Sequence, residues 1–242
     1  MMNVIFKYDL YYENLKDFSI AEIEKMAKKT LIYYPELLGT KGLFYFYPLS
    51  DLKKNRIAST IPLNCPSSIL ADEFPDLDDL CRKNPNIDFA FQFWEPFLLG
   101  NEIKKTIDMS HEFQHAAQFR NNKKTYLHGS IVRRILSKHI PEEESPLEYE
   151  AIRKSKIVST AIFGPARISE EINKLRSSSN IVKGFIEIFA SIDTNQAYAL
   201  EKEVSTLWGL HHIEKIIGEL KNKPNRTYEE NKIIEMYDYA GQ

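Results

Sequence analysis

The feature that most constrains this chain is the motif H-E-x-x-H, formed by His111, Glu112 and His115. On an α-helix, residues four apart lie on the same face, so the two imidazoles can bind one Zn²⁺. Glu112 lies about 100° around the helix from His111 and can reach a water beside that metal. The spacing therefore predicts a helix that carries a site for metal-assisted hydrolysis.

The residues around the motif predict a helix that is buried on two sides. With His111 at zero on a helical wheel, His115 lies at about 40° and Gln118 at about −20°. The opposite side is apolar and carries Met109, Phe113 and Ala116. Upstream, Asn101 is suited to cap the start of this helix.

A catalytic zinc site needs a third protein ligand and an open position for water. In the segment S-P-L-E-Y-E-A, Ser145 and Pro146 predict a helix start, with Glu148 closing a capping box. Glu150 falls on an apolar face of that helix, where a carboxylate is costly unless it is paired or bound to a metal. We therefore favour Glu150 as the third ligand. Glu148 or a histidine is the alternative, and pairing with Lys154 would satisfy Glu150 without a metal.

The motifs HEFQHAAQ and P-L-E-Y-E-A together resemble the zincin metallopeptidases, in the gluzincin-like branch where a glutamate on a later helix completes the site. The resemblance covers residues 108–153. It implies that His111, His115 and Glu150 bind zinc, and that Glu112 acts first as general base and then as general acid. A peptide or protein substrate is also implied. The chain does not resemble the metzincins, because the sequence after His115 lacks their glycine and third histidine.

Composition and charge bound the class of protein. A chain of 242 residues can build a substantial core. Its net charge of −2, with both signs interspersed, indicates no nucleic-acid partner. There is no apolar run long enough to span a membrane and no signal-peptide pattern at the N-terminus. The two cysteines, Cys65 and Cys81, fit a reducing compartment. We therefore expect a soluble, cytoplasmic protein.

The first hundred residues predict mixed α/β structure, with strands at 4–8, 43–47 and 87–93. Residues 59–85 are rich in Pro, Ser, Asn and Asp and predict mainly irregular structure. The strand at 87–93 would place four apolar side chains on one face and Asp88, Ala90 and Gln92 on an open face. In zincins a strand at the edge of the cleft pairs with the substrate backbone. The resemblance implies that role for an N-terminal strand, and 87–93 is the candidate. The alternative is that its aromatic residues serve only the core.

The predicted fold class is α+β and zincin-like. Residues 1–100 form a small N-terminal α/β lobe with a short sheet and the substrate-edge strand. Residues 101–242 form a predominantly helical lobe that carries the H-E-x-x-H helix and the third ligand, and the two lobes make one catalytic unit. The expected function is zinc-dependent peptide hydrolysis. A non-catalytic zinc-binding regulatory or interaction protein is the alternative, and a non-peptide substrate remains open because the motif specifies the water rather than the bond.

Overall fold

The computed structural model describes residues 3–8, 20–46, 57–63, 86–137, 139–178, 183–207 and 210–241. Cys65 and Cys81 lie outside these ranges. Four strands are described: β1 (Asn3–Tyr8), β2 (Lys41–Phe46), β3 (Ala58–Pro62) and β4 (Phe89–Phe93). The helices dominate after the last strand, which confirms the expectation of a mixed α/β chain with a mainly helical second half.

Ten α-helical segments are described. They are α1 (Ile20–Leu31), α2 (Glu95–Leu98), α3 (Glu102–Asn121), α4 (Lys123–Leu136), α5 (Pro146–Phe163), α6 (Pro165–Ser178), α7 (Lys183–Ser191), α8 (Leu200–Lys202), α9 (Leu210–Asn222) and α10 (Tyr228–Ala240). Two 3₁₀ turns, Pro35–Leu37 and Glu142–Glu144, and a π-turn, Glu203–Leu207, lie between them. No described helix has the length and apolar character that crossing a membrane requires.

The strands form one mixed sheet in the order β1-β2-β4-β3. The strands β1, β2 and β4 run parallel, whereas β3 pairs antiparallel with β4. Within the described part of the chain, β3 therefore forms one edge of the sheet. Proline at the end of this strand is consistent with that position, since proline has no N–H to give to a ladder.

The prediction of 87–93 as an edge strand with an open face is wrong. The observed strand, β4, has a neighbour on each side. Its second face is also buried, because Ala90 packs in a small cluster with Ile61 and Trp94. Gln92 is likewise only 1% exposed. Most of β3 falls in the segment predicted to be irregular, and this unpredicted strand places β4 inside the sheet.

One face of the sheet packs against α3 through aromatic side chains. The ring of Phe113 on α3 lies 5.1 Å from that of Phe91 and 6.0 Å from that of Phe44. Such pairs contribute about 0.5–1.5 kcal/mol each beyond their buried area. Met109 and Ala116 belong to the same cluster and are fully buried. The predicted apolar side of the H-E-x-x-H helix thus holds that helix on the sheet.

The start and the end of α3 follow the sequence signals. The side chain of Asn101 accepts a hydrogen bond from the amide of Lys104 at 2.9 Å, which caps the helix as predicted. Asn122 follows its last turn. The other face of α3 packs against α5, the helix that begins after Ser145. The two histidines of the motif therefore lie between α3 and α5.

Candidate metal centre

Three side chains from α3 and α5 converge: His111, His115 and Glu148. The Nε2 atoms of the two histidines are 3.0 Å apart. Oε2 of Glu148 lies 3.1 Å from Nε2 of His111 and 3.3 Å from that of His115. The three side chains are between 10% and 14% exposed. They form a compact, nearly equilateral triangle of two nitrogens and one oxygen.

The size of this triangle fits a zinc ion. Tetrahedral zinc with bonds of about 2.0–2.1 Å holds its ligand atoms roughly 3.3 Å apart. The three observed separations, 3.0, 3.1 and 3.3 Å, are close to that edge length. Two histidines and one carboxylate are also a donor set of catalytic zinc sites, which keep a fourth position open. The group can therefore hold a metal ion.

The carboxylate in this triangle is not the one that the sequence favoured. Glu150, predicted as the third ligand, is held instead by two side-chain amides of α3. Nε2 of Gln114 donates to its two oxygens at 2.8 and 2.7 Å, and Nε2 of Gln118 donates at 2.5 Å. A buried carboxylate needs a partner, as the sequence argument assumed. Here the partners are amides, so burial is compensated without a metal.

The prediction that Glu148 closes a capping box is also wrong. Ser145 is the N-cap of α5, with Pro146 in the first turn, but its hydroxyl makes no capping hydrogen bond. That hydroxyl is buried without a hydrogen-bond partner among the described residues. The side chain of Glu148 is consequently not tied to its own helix start. It turns toward α3, with Oε2 between the histidines.

Arg133 on α4 is a site residue that the sequence did not reveal. Its Nη1 donates to Oε1 of Glu148 at 2.9 Å and to Oε1 of Glu142 at 2.5 Å. Arg133 therefore binds Oε1 of Glu148, whereas the histidines lie near Oε2. In the sequence, Arg133 is one of several cations on the polar side of a helix, and no motif distinguishes it from the others.

Charge explains how the triangle is held together. Burial disfavours the charged form of Glu148, but His115 and His111 outweigh it and lower the pKa of Glu148 well below its usual value. Burial also disfavours protonation of His115. The adjacent Glu148 carboxylate again outweighs it and raises the pKa of His115 to about 9. Attraction between Glu148 and the histidines thus holds the three side chains together.

The glutamate of the motif, Glu112, lies next to this group and contacts the sheet edge. The hydroxyl of Thr60 on β3 lies 2.7 Å from Oε2 of Glu112 and 2.9 Å from its main-chain oxygen, and donates to them. Glu112 is 5% exposed. Burial raises the pKa of Glu112, opposed by the two histidines and by Thr60. A carboxylate with a raised pKa is suited to accept and hold a proton.

No protein-family model, no curated protein and no solved structure matches this chain. The case for a function therefore rests on the residues of the site. What these residues offer is a two-histidine, one-carboxylate group that can bind a metal, with a buried glutamate beside it.

Proposed function

We propose that this chain is a zinc-dependent, zincin-like metallopeptidase, with His111, His115 and Glu148 as the zinc ligands. The observation that carries the proposal is the triangle of donor atoms at the spacing of tetrahedral zinc ligands. Glu112 beside that triangle adds a group which a purely structural metal site does not need.

In the proposed reaction Glu112 moves the proton. Bound zinc supplies Lewis acidity, which polarises a carbonyl and lowers the pKa of water. Oε2 of Glu112 is hydrogen-bonded to Thr60, which fixes the carboxylate and leaves Oε1 to take a proton from the attacking water. Burial favours the protonated form that results. Glu112 then donates this proton to the leaving amine as the peptide bond breaks.

The sheet edge favours a peptide over a non-peptide substrate. Thr60 lies in β3, so the strand that contacts Glu112 is also the edge strand of the described sheet. An extended peptide can pair with such an edge through its backbone, which places a scissile bond near the site. We therefore assign to β3 the substrate-pairing role that the sequence had given to 87–93.

Metal content tests the site directly. Wild-type protein should contain about one zinc per chain by plasma mass spectrometry, and His111→Ala should lose it because a catalytic site has only three protein ligands. His212→Ala is the matched control, since His212 is exposed, lies on α9 and is not one of the three donors. Wild-type protein that takes up no zinc would overturn the proposal.

Glu112→Gln tests catalysis separately from metal binding. The amide cannot accept the proton, so cleavage of a peptide-library substrate should fall by about 10²–10⁴ while zinc content is unchanged. Full activity in this variant would contradict the assigned role. Zinc-loaded wild-type protein that cleaves no peptide of the library would favour the non-catalytic regulatory or interaction protein instead.

A further inference from the structure

Gln118 and Glu150 form a hydrogen-bonded chain behind His115. Nδ1 of His115 lies 3.0 Å from Oε1 of Gln118. Nε2 of Gln118 donates to the main-chain oxygen of Leu147 at 2.9 Å and to Oε2 of Glu150 at 2.5 Å. We propose that Gln118, oriented by Glu150, is a positioning residue that fixes the tautomer of His115 so that Nε2 is free for the metal. The inference rests on the proposed metal site.

The orientation of the Gln118 amide follows from its surroundings. A primary amide has two N–H donors and one acceptor oxygen. At one end of this amide stand a main-chain carbonyl and a carboxylate, which both only accept. A flipped amide would place its oxygen against these two acceptors, 2.9 and 2.5 Å away, with no hydrogen between them. The NH₂ group must therefore face Leu147 and Glu150, and the oxygen must face His115.

This orientation decides where His115 carries its hydrogen. The amide oxygen can only accept, so Nδ1 of His115 must be the donor. In the neutral ring the lone pair is then on Nε2, the atom that lies near Nε2 of His111 and Oε2 of Glu148. A metal at the triangle requires that tautomer. The chain from carboxylate through amide to imidazole therefore prepares His115 as a ligand.

Glu150 is itself held firmly enough to orient Gln118. Both of its oxygens accept hydrogen bonds from Nε2 of Gln114, at 2.8 and 2.7 Å. Hydrogen bonds to a charged group are stronger than those between neutral groups. The cluster lies between α3 and α5, where Gln118 is 4% and Gln114 is 6% exposed.

His111 has no comparable support. Its Nδ1 is buried and has no hydrogen-bond partner among the described residues. Its ring instead contacts Phe185 on α7, with the ring centroids 5.6 Å apart. The hydrogen-bonded chain therefore orders one of the two histidines only, which makes its effect specific to His115.

The test compares Gln118→Leu with wild type by zinc affinity, measured against a chromophoric chelator, and by the imidazole ¹⁵N signals. Removing an outer-shell partner costs about 10–100-fold in metal affinity, and Gln118→Leu should show that loss. In metal-free protein at alkaline pH, where the imidazole is neutral, its His115 should also show mixed Nδ1 and Nε2 protonation, whereas wild type shows Nδ1–H alone. Glu150→Gln keeps an acceptor for Gln118 and should remain near wild type. Gln92→Leu, a buried glutamine on the sheet face away from α3, is the control.

Wild-type affinity together with an unchanged imidazole pattern in Gln118→Leu would overturn the inference. If Gln118→Leu does not fold, Glu150→Leu replaces it, because the Gln118 amide then loses one of the two acceptors that orient it. Failure of the metal site is distinguishable. Wild type would take up no zinc, yet the metal-free protein at the same alkaline pH would still show the single Nδ1–H tautomer and so support the chain.

Discussion

Two half-buried carboxylates on the same turn of α5, Glu148 and Glu150, have opposite kinds of partner. Glu148 meets positive or protonatable partners: Arg133 on one oxygen and the two histidines on the other. Among the described residues, Glu150, two positions on, accepts hydrogen bonds from the side-chain amides of Gln114 and Gln118, and the charges of His115 and Lys154 have smaller effects. The pKa of Glu148 is lowered well below its usual value, whereas burial raises the pKa of Glu150 above it.

The difference shows that the kind of partner decides what a half-buried carboxylate can do. Both oxygens of Glu150 accept hydrogen bonds from side-chain amides, so neither is directed at the histidines. Glu148 keeps one oxygen turned to a pair of imidazoles whose nitrogens can exchange a proton for a metal. The first carboxylate is therefore suited to bind a cation, and the second to hold side chains in place.

The largest expected effect separates these two carboxylates. Glu148→Ala removes a proposed ligand, so zinc affinity should fall by more than the 10–100-fold that is typical of an outer-shell change. Glu150→Gln should retain zinc, because an amide oxygen can still accept from Gln114 and Gln118. A chelator competition titration measures both. Loss of zinc in Glu150→Gln with retention in Glu148→Ala would restore Glu150 as the ligand and reverse the comparison.

The helix and its apolar side were predictable from local sequence. Asn101 and the spacing of Met109, Phe113 and Ala116 mark the start and the buried face of α3, and the structure follows both. The spacing of His111 and His115 likewise places their Nε2 atoms together. These features depend on residues within one helix, where geometry is fixed by the 3.6-residue repeat.

The identity of the third ligand and the order of the strands were not predictable from local sequence. The choice between Glu148 and Glu150 depends on Arg133, Gln114 and Gln118, which come from other helices and are brought close only by packing. The edge position depends on β3, a five-residue strand in a proline- and serine-rich segment. Its alternation is too short to outweigh the turn residues around it.

A smaller effect is expected from the cation beside Glu148. Arg133→Met frees Oε1 of Glu148 and loosens the carboxylate, so zinc affinity should fall by about tenfold, at the lower end of outer-shell effects. Loss of a positive charge near the metal works in the opposite direction and keeps the fall small. Arg134→Met is the control, because Arg134 pairs with Glu229 on α10 at 2.9 Å. Equal affinities in the two variants would show that Arg133 does not orient Glu148.

The smallest expected effect is the release of a proton when zinc binds. It should depend on Glu148, which lies beside His115, and not on Glu150. The Glu148 carboxylate overcomes burial and raises the pKa of His115 to about 9, so the metal-free ring is protonated at pH 7.5. Zinc must displace the proton on Nε2, and binding should release about one proton per zinc. The release should decline as the pH rises through about 9, where the metal-free ring is already neutral, and apparent affinity should level off there. Calorimetry in buffers of different ionisation enthalpy measures the number of protons released.

Glu150→Gln should give the wild-type value, since Glu150 accepts hydrogen bonds from amides and contacts neither histidine in the triangle. Zinc binding at pH 7.5 without proton release would show that Glu148 does not hold His115 in its charged form.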